Sequence, residues 1–238
     1  MQHLLFAVRS LWKDKAFSVA TFLTLALCIG ANTALFSIVH SVLLEPLPVP
    51  ESERLVYLYN SYPRAGAERG GSGVPDYLDR VKWMQAFQAL ALYNIRNRST
   101  GESGRPERVL AMNVTPSFFR VARVEAELGR MLTELEGAPG HDDVVVLSHA
   151  YLQERTAGDR AVLGRKIRLD GRPFTVVGVM PAEFKFLEAE ARLWTPLAFT
   201  PDMTGDENRH NNSWSSVGRL RPGATIAQAQ AQVDALNA

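Results

Sequence analysis

The run from Phe17 to Leu44 contains no Asp, Glu, Lys or Arg. About 20 apolar residues suffice to cross a bilayer core of about 30 Å at a helical rise of about 1.5 Å per residue. Inside lipid the backbone must satisfy its own amides, so the pattern predicts a transmembrane helix over residues 17–44. A cleaved signal peptide fits less well, because its apolar region usually ends after about 7–15 residues at a small-residue site. The length beyond one span reads either as a stalk projecting near Ser37, His40 and Ser41 or as simple tilt. Before it, Leu4, Leu5, Val8, Leu11 and Trp12 share one helical face, so residues 1–16 read as an amphipathic elbow helix on the membrane. Trp12, Lys13 and Lys15 suit the membrane interface, and the preceding bases put the N-terminus in the cytoplasm. The alternative is that these residues only begin the span. Pro46, Pro48 and Pro50 then make a stiff, extended exit.

Beyond residue 45 the pattern shortens. Arg54 to Asn60 alternates and reads as a strand; Pro63 to Gly73 reads as a glycine-rich loop. Pro75 suits the first turn of a helix carrying Tyr77, Leu78, Val81 and Phe87. Leu90 to Ile95 and Arg108 to Val114 are strands, and Thr115-Pro116 opens a short helix. From about residue 125 to 195 short strands and tight turns dominate. Val144 to Leu147 is a buried strand, and Ser148 can cap the helix after it. Ile167 to Val179, folded about Asp170-Gly171, is the clearest hairpin, because that dipeptide accepts the positive φ of a tight turn. Leu193 to Leu197, holding Pro196, reads as an edge strand. Ser213 to Leu220 is a strand, and Thr225 caps a helix over 226–236. The expected class is α+β: one N-terminal transmembrane helix, then a domain over 45–238 with a β-rich insertion at about 125–195.

Charge sharpens this picture. Residues 1–16 carry +2 and the remainder −1. A near-neutral domain lacks the basic footprint that nucleic acid requires. The single cysteine, Cys28, lies inside the span. That excludes disulfides and cysteine chemistry from the domain and suits a bacterial periplasmic setting. Ala26, Gly30 and Ala34 fall on one helical face, the small-residue pattern that lets membrane helices pack closely; chance is the alternative.

Candidate chemistry is sparse. No nucleophile elbow and no zinc-binding His-Glu-x-x-His helix occurs. Gly158 to Lys166 lacks the spacing and the Ser or Thr of a phosphate loop. His141, Asp142, Asp143 and His149, and likewise Asp206, Glu207 and His210, carry metal-ligand chemistry but read better as solvated loops. Trp194 and Trp214 read as core residues before ligand-stacking ones. No catalytic residue, metal or cofactor is expected.

In order along the chain, Leu11-Trp12-Lys13, Ile29-Gly30-Ala31-Asn32-Thr33-Ala34-Leu35-Phe36-Ser37 and Leu43-Leu44-Glu45-Pro46-Leu47-Pro48 resemble the first membrane helix of MacB/FtsX-type ABC transporter permeases. The remainder resembles that family's periplasmic core domain. It does so through Val145-Val146-Leu147-Ser148, Leu163-Gly164-Arg165, Val176-Val177-Gly178-Val179-Met180-Pro181, Trp194-Thr195-Pro196-Leu197 and Arg219-Leu220-Arg221-Pro222-Gly223. The resemblance is strongest to large permeases without a fused ATPase. It implies a porter-like α+β periplasmic domain on the bacterial inner membrane and a homodimer. It also implies a cytoplasmic ABC ATPase subunit as partner, possible contact with a periplasmic or outer-membrane protein, and efflux by mechanotransmission. Family permeases have four membrane helices, so the chain resembles the N-terminal part of one. A single-span anchored binding or adaptor module is the alternative.

Overall fold

The computed structural model describes residues 15–39, 49–63, 66–101, 107–188 and 190–236. The chain divides into two units, Met1–Pro46 and Leu47–Ala238, and each is treated by itself. The expected elbow helix, with Trp12 and Lys13, lies outside the described residues, as does the proline-rich exit up to Pro48.

In the first unit, α1 (Lys15–Val39) is the one helix among the described residues long and apolar enough to cross a membrane. Its apolar side chains are bare all round: Leu27 is 75% and Phe22 73% exposed. Two of its polar groups bond to their own helix, Thr24 Oγ1 to the Ala20 carbonyl (2.8 Å) and Asn32 Nδ2 to that of Cys28 (3.0 Å). A helix with no polar face and internally satisfied polar groups is suited to lipid as its solvent.

The second unit is built on a nine-stranded mixed sheet. Its strands are β1 (Leu55–Leu58), β4 (Phe87–Thr100), β5 (Glu107–Val114), β6 (Leu128–Gly129), β7 (Val144–Leu147), β8 (Lys166–Leu169), β9 (Arg172–Val179), β10 (Leu193–Pro196) and β11 (Ser215–Leu220). The order is β1-β11-β4-β5-β10-β7-β9-β6, and β8 joins β9 to the far end of β4. Residues 125–195 thus supply five strands to the same sheet as the flanking segments. The pairs β5–β10 and β7–β9 are parallel; the others are antiparallel.

Alternating side chains feed two faces. Ala91, Tyr93, Met112, Val114, Val146, Trp194 and Val217 meet Phe118, Phe119 and Val121 of α3 (Phe118–Ala122). On the other face Leu90, Leu92 and Leu220 pack with α2 (Val74–Trp83) and α6 (Ile226–Leu236). There too Ala111, Val145, Leu147 and Leu193 pack with Tyr151 and Leu152 of α4 (His149–Thr156). Covered faces on both sides explain why β7 and β10 are apolar at consecutive positions.

Local chemistry places the ends. Ser148 Oγ caps α4 by accepting from Tyr151 N (3.0 Å). Thr225 Oγ1 accepts from Gln228 N (3.2 Å), and the Gln228 side chain reaches back to Thr225 N, a reciprocal cap on α6. Asp170 and Gly171 both take positive φ, 51° and 81°, closing the β8–β9 hairpin. Ser117 Oγ donates to the Leu90 carbonyl (2.6 Å), which seats the start of α3 on β4.

Three local readings differ from the structure. Phe87, expected on the helix after Pro75, instead opens β4, because α2 ends at Trp83. The stretch read as a loop at 63–73 contains β3 (Ala67–Gly70), which pairs with β2 (Asn60–Tyr62) as a separate two-stranded ribbon. Its alternation is polar on both faces, so hydrophobic pattern gives it no signal. Leu193–Pro196 is no edge strand; it lies between β5 and β7, and all four residues are buried. Pro196 is tolerated because β7 pairs with β10 only at Leu193 and Trp194, so that ladder stops before the proline is reached.

Candidate functional site

The chain enters the sheet at a tight knot of charge. Val49 is buried in the core face, and Glu51 follows in the left-handed region at φ 49°. Around Glu51 stand Arg54, Arg123 and Arg219. Arg54 and Arg123 ion-pair its carboxylate, Arg123 at 2.5 Å. Arg219 acts on the backbone: Nη1 donates to the Glu51 carbonyl (2.9 Å) and Nε to the Val121 carbonyl at the end of α3 (2.7 Å). Arg54 also donates from Nε to the Leu220 carbonyl (2.9 Å) and from Nη2 to Gln88 Oε1 (2.9 Å). The segment 49–54 is therefore bolted to α3, β4 and β11 together.

Alternation puts Arg219 there. It sits two residues after Val217 on β11, so it points into the same core face, and it is fully buried. Burial pushes its guanidinium below the usual arginine range; the charges of Arg123 and Arg54 add to this and Glu53 opposes it. Its Nη2 finds no partner among the described residues.

A second polar network ties the outlying ribbon down. Arg209 bridges Asp76 (3.0 Å) and Asp79 (2.8 Å) of α2 and its own neighbour Asp206 (2.8 Å). The hydrogen bonds it donates to Asp79 and Asp206 push its pKa up despite some burial. Asn60 Nδ2 donates to Asp76 (2.7 Å), and buried Arg80 donates to Ser72 Oγ (2.9 Å) and to Asn60.

A cleft of about 710 Å³ opens where α4, the start of β5 and the segment 180–192 meet. Trp194, Met180 and Phe184 form its apolar part, with Phe184 edge-on to Trp194 at 5.8 Å. Glu107 pairs with Arg155 and Glu154 with Arg192 along its walls. Arg192 Nε and Trp194 Nε1 are buried and find no hydrogen-bond partner among the described residues.

Ala26, Gly30 and Ala34 all lie on α1 and are exposed, and a Cβ at Gly30 would meet nothing within 4 Å among the described residues. Lys15 is the first residue of α1 and is exposed. Trp194 and Trp214 belong to separate core clusters and form no joint stacking surface. Asp142 accepts from Gly140 N (3.2 Å) and faces Arg172, while Asp206 serves Arg209. Among the described residues no group of three His, Cys, Asp or Glu side chains converges as metal ligands would. The Arg219 knot escaped sequence reasoning; its one trace is a charged residue at an inward-facing position of an apolar strand.

A search across known proteins agrees with this architecture. The family model for the MacB-like periplasmic core domain matches residues 18–236, and the chain belongs to that family. Three solved structures share its fold. The periplasmic region of MacB from Actinobacillus actinomycetemcomitans is 16% identical over 77% of this chain and 81% of its own, with a TM-score of 0.56. The extracellular domain of the noncanonic ABC-type transporter YknZ from Gram-positive bacteria is 13% identical over 75% and 86%, at 0.52. A domain of a permease protein from Porphyromonas gingivalis is 18% identical over 79% and 85%, at 0.57. No curated protein matches the chain. The chain is a component of an ABC-type permease of the MacB/FtsX type, and family and helix together mark an inner-membrane protein with a periplasmic domain.

Proposed function

We propose that this chain couples ATP hydrolysis in the cytoplasm to movement of its periplasmic domain. The observation that carries the reading is the Glu51 knot. A displacement arriving along the chain at Val49 cannot be absorbed by a loose linker, because Arg54, Arg123 and Arg219 hold residues 49–54 to α3, β4 and β11. In this reading residues 1–16 lie on the cytoplasmic face and 17–44 form span and stalk. Residues 45–238 are the moving domain, with 125–195 as its β-rich part. Ala26, Gly30 and Ala34 pack against a membrane helix of a second copy or of the same permease, and Trp12, Lys13 and Lys15 ride the headgroups. The ATPase is a separate cytoplasmic subunit, the assembly is a homodimer, and a periplasmic or outer-membrane protein receives the motion.

The test is purification from native membranes in mild detergent, with mass spectrometry of what accompanies the chain, then hydrogen exchange with and without ATP plus vanadate. The expected result is a co-purifying ATPase bearing Walker motifs and a nucleotide-dependent change in exchange at residues 49–54. A chain that purifies without any ATPase, and whose exchange ignores nucleotide, would instead support an anchored adaptor module.

A further inference from the structure

Strand β1 stands at one end of the strand order, with β11 as its sheet neighbour. The backbone bonds of β11 alternate between its two sides. Arg221 N donates to the Ala86 carbonyl (2.9 Å) on the β4 side. On the β1 side the Leu220 carbonyl accepts from Arg54 Nε (2.9 Å) and the Trp214 carbonyl from Ser72 N (2.7 Å). Gly218 and Ser216 share that side and lie opposite Val56 and Leu58. Leu55 and Tyr57 alternate with these, so their backbone groups turn away from the sheet, and Tyr59 follows in the same sense. The Leu55 N–H bonds back to the Ser52 carbonyl. The Leu55 C=O, the N–H and C=O of Tyr57 and the Tyr59 N–H find no partner among the described residues. The edge is open to water, with Tyr57 48% and Tyr59 47% exposed. Open edges are templates for another strand, and proteins blunt them with charge, proline, bulges or brevity. The opposite edge, β6, has only two residues. Leu55-Val56-Tyr57-Leu58 carries no charge, no proline and no register shift against β11.

We infer that β1 pairs with β1 of a second copy of this chain, antiparallel about a two-fold axis at Tyr57. In that register Tyr57 of each copy donates to and accepts from Tyr57 of the other, and each Tyr59 N–H meets a Leu55 C=O. The open groups of one edge are thus the complement of the same groups on the other, which is what a two-fold interface requires. The occupied Leu55 N–H closes the ladder there and leaves the Tyr59 carbonyl to water. The side chains match as well. Tyr57 lies beside Tyr57 and Leu55 beside Tyr59 on one face, Val56 beside Leu58 on the other, and no like charges meet. Tyr59 is already set in place, stacked on Tyr57 (6.1 Å) with Arg69 over its ring (5.6 Å). Tyrosine and arginine are the side chains that most often anchor interfaces. So short an edge would hold free molecules weakly. Helix α1, long and apolar enough to span, keeps both copies in one membrane and raises their effective concentration. This pairing rests on the homodimer proposed above and supplies its contact outside the membrane.

The test is disulfide cross-linking of the full chain in native membranes, with Cys28→Ser removing its one thiol. Opposed residues of a hydrogen-bonded antiparallel pair have Cα atoms about 5.5 Å apart, within disulfide reach. Tyr57→Cys should therefore give a band of twice the monomer mass on oxidation. Tyr59→Cys, equally exposed, sets the two thiols about 14 Å apart along the strands and should give at least fivefold less. In the otherwise native chain, Tyr57→Pro keeps the ladder to β11 but removes the outward N–H. It should lower the dimer fraction at least tenfold by native mass spectrometry in mild detergent, whereas Tyr59→Phe should leave it unchanged. If Tyr57→Pro does not fold, Tyr57→Lys decides, because it sets like charges opposite each other at the axis and should lower the fraction in the same way. A dimer by mass in which Tyr57→Cys cross-links no better than Tyr59→Cys would overturn the β1 pairing and leave the homodimer standing. A monomer by mass would overturn both.

Discussion

Arg219 illustrates how a single buried charge can serve geometry. Its desolvation is unfavourable, and replacing a buried charge by an apolar side chain often costs little overall. What Arg219→Met would lose is two carbonyl contacts, to Val121 and to Glu51, the latter keeping its bond from Arg54 N (3.1 Å). We expect a global loss of about 1–3 kcal/mol by urea unfolding. The larger effect should be local, with faster hydrogen exchange at residues 49–54. Arg219→Lys should not restore slow exchange, because one ammonium cannot span two carbonyls as a guanidinium fork does. Wild-type exchange in both variants would refute the clamp. Glu136 carries a pH dependence of definite sign. Burial raises its pKa, but Arg130 (2.5 Å) and Thr133, through N (2.5 Å) and Oγ1 (2.7 Å), outweigh burial and hold it below the ordinary value of 4.5. A carboxylate depressed in the folded state stabilises fully above its unfolded pKa and loses that contribution as pH falls through the folded one. The gap in urea midpoint between wild type and Glu136→Gln should therefore be constant near pH 7 and shrink below about pH 4.5. A gap that widens with acid would contradict the assignment.

At the scale of elements, β9 depends on a residue without a side chain. A Cβ on Gly178 would overlap the Arg130 carbonyl oxygen just beyond β6. Gly178 also lies at the register shift where β7 meets β9. Gly178→Ala should destabilise the domain by about 2–4 kcal/mol in thermal or urea unfolding, the range of a forced backbone clash; a neutral result would mean that β6 can move aside. Helix α1 behaves oppositely, since nothing among the described residues crowds Gly30. Gly30→Leu should leave domain melting untouched yet abolish cross-linking between copies in nanodiscs, and retained cross-linking would remove the small-residue face from the interface. Elements with local chemistry were legible in sequence: the Asp170-Gly171 hairpin, the Ser148 cap and the reciprocal cap at Thr225. The placement of β10 was not, because what permits Pro196 in a central strand is that its ladder with β7, far back in the chain, stops at Trp194.

At the scale of the molecule, a lipid-suited helix precedes a domain whose sheet is assembled largely from distant pairings. Strand β1 pairs with β11 and β8 touches β4, so the ends of the domain chain lie side by side. That arrangement lets one knot near residue 51 hold strands from the start, middle and end of the domain.

Sequence alone determined what depends on near neighbours and composition. The uncharged run named the membrane helix, alternation and turn residues named most strands and caps, and the ordered motifs named the family. Only the tertiary structure decided what depends on partners far away in the chain. It joined residues 125–195 to the common sheet and aimed Arg219 at Glu51 and Val121. These are matters of pairing and burial. A buried arginine and an exposed one are the same letter, and only the sheet around them tells which donors have been taken out of water and what remains to satisfy them.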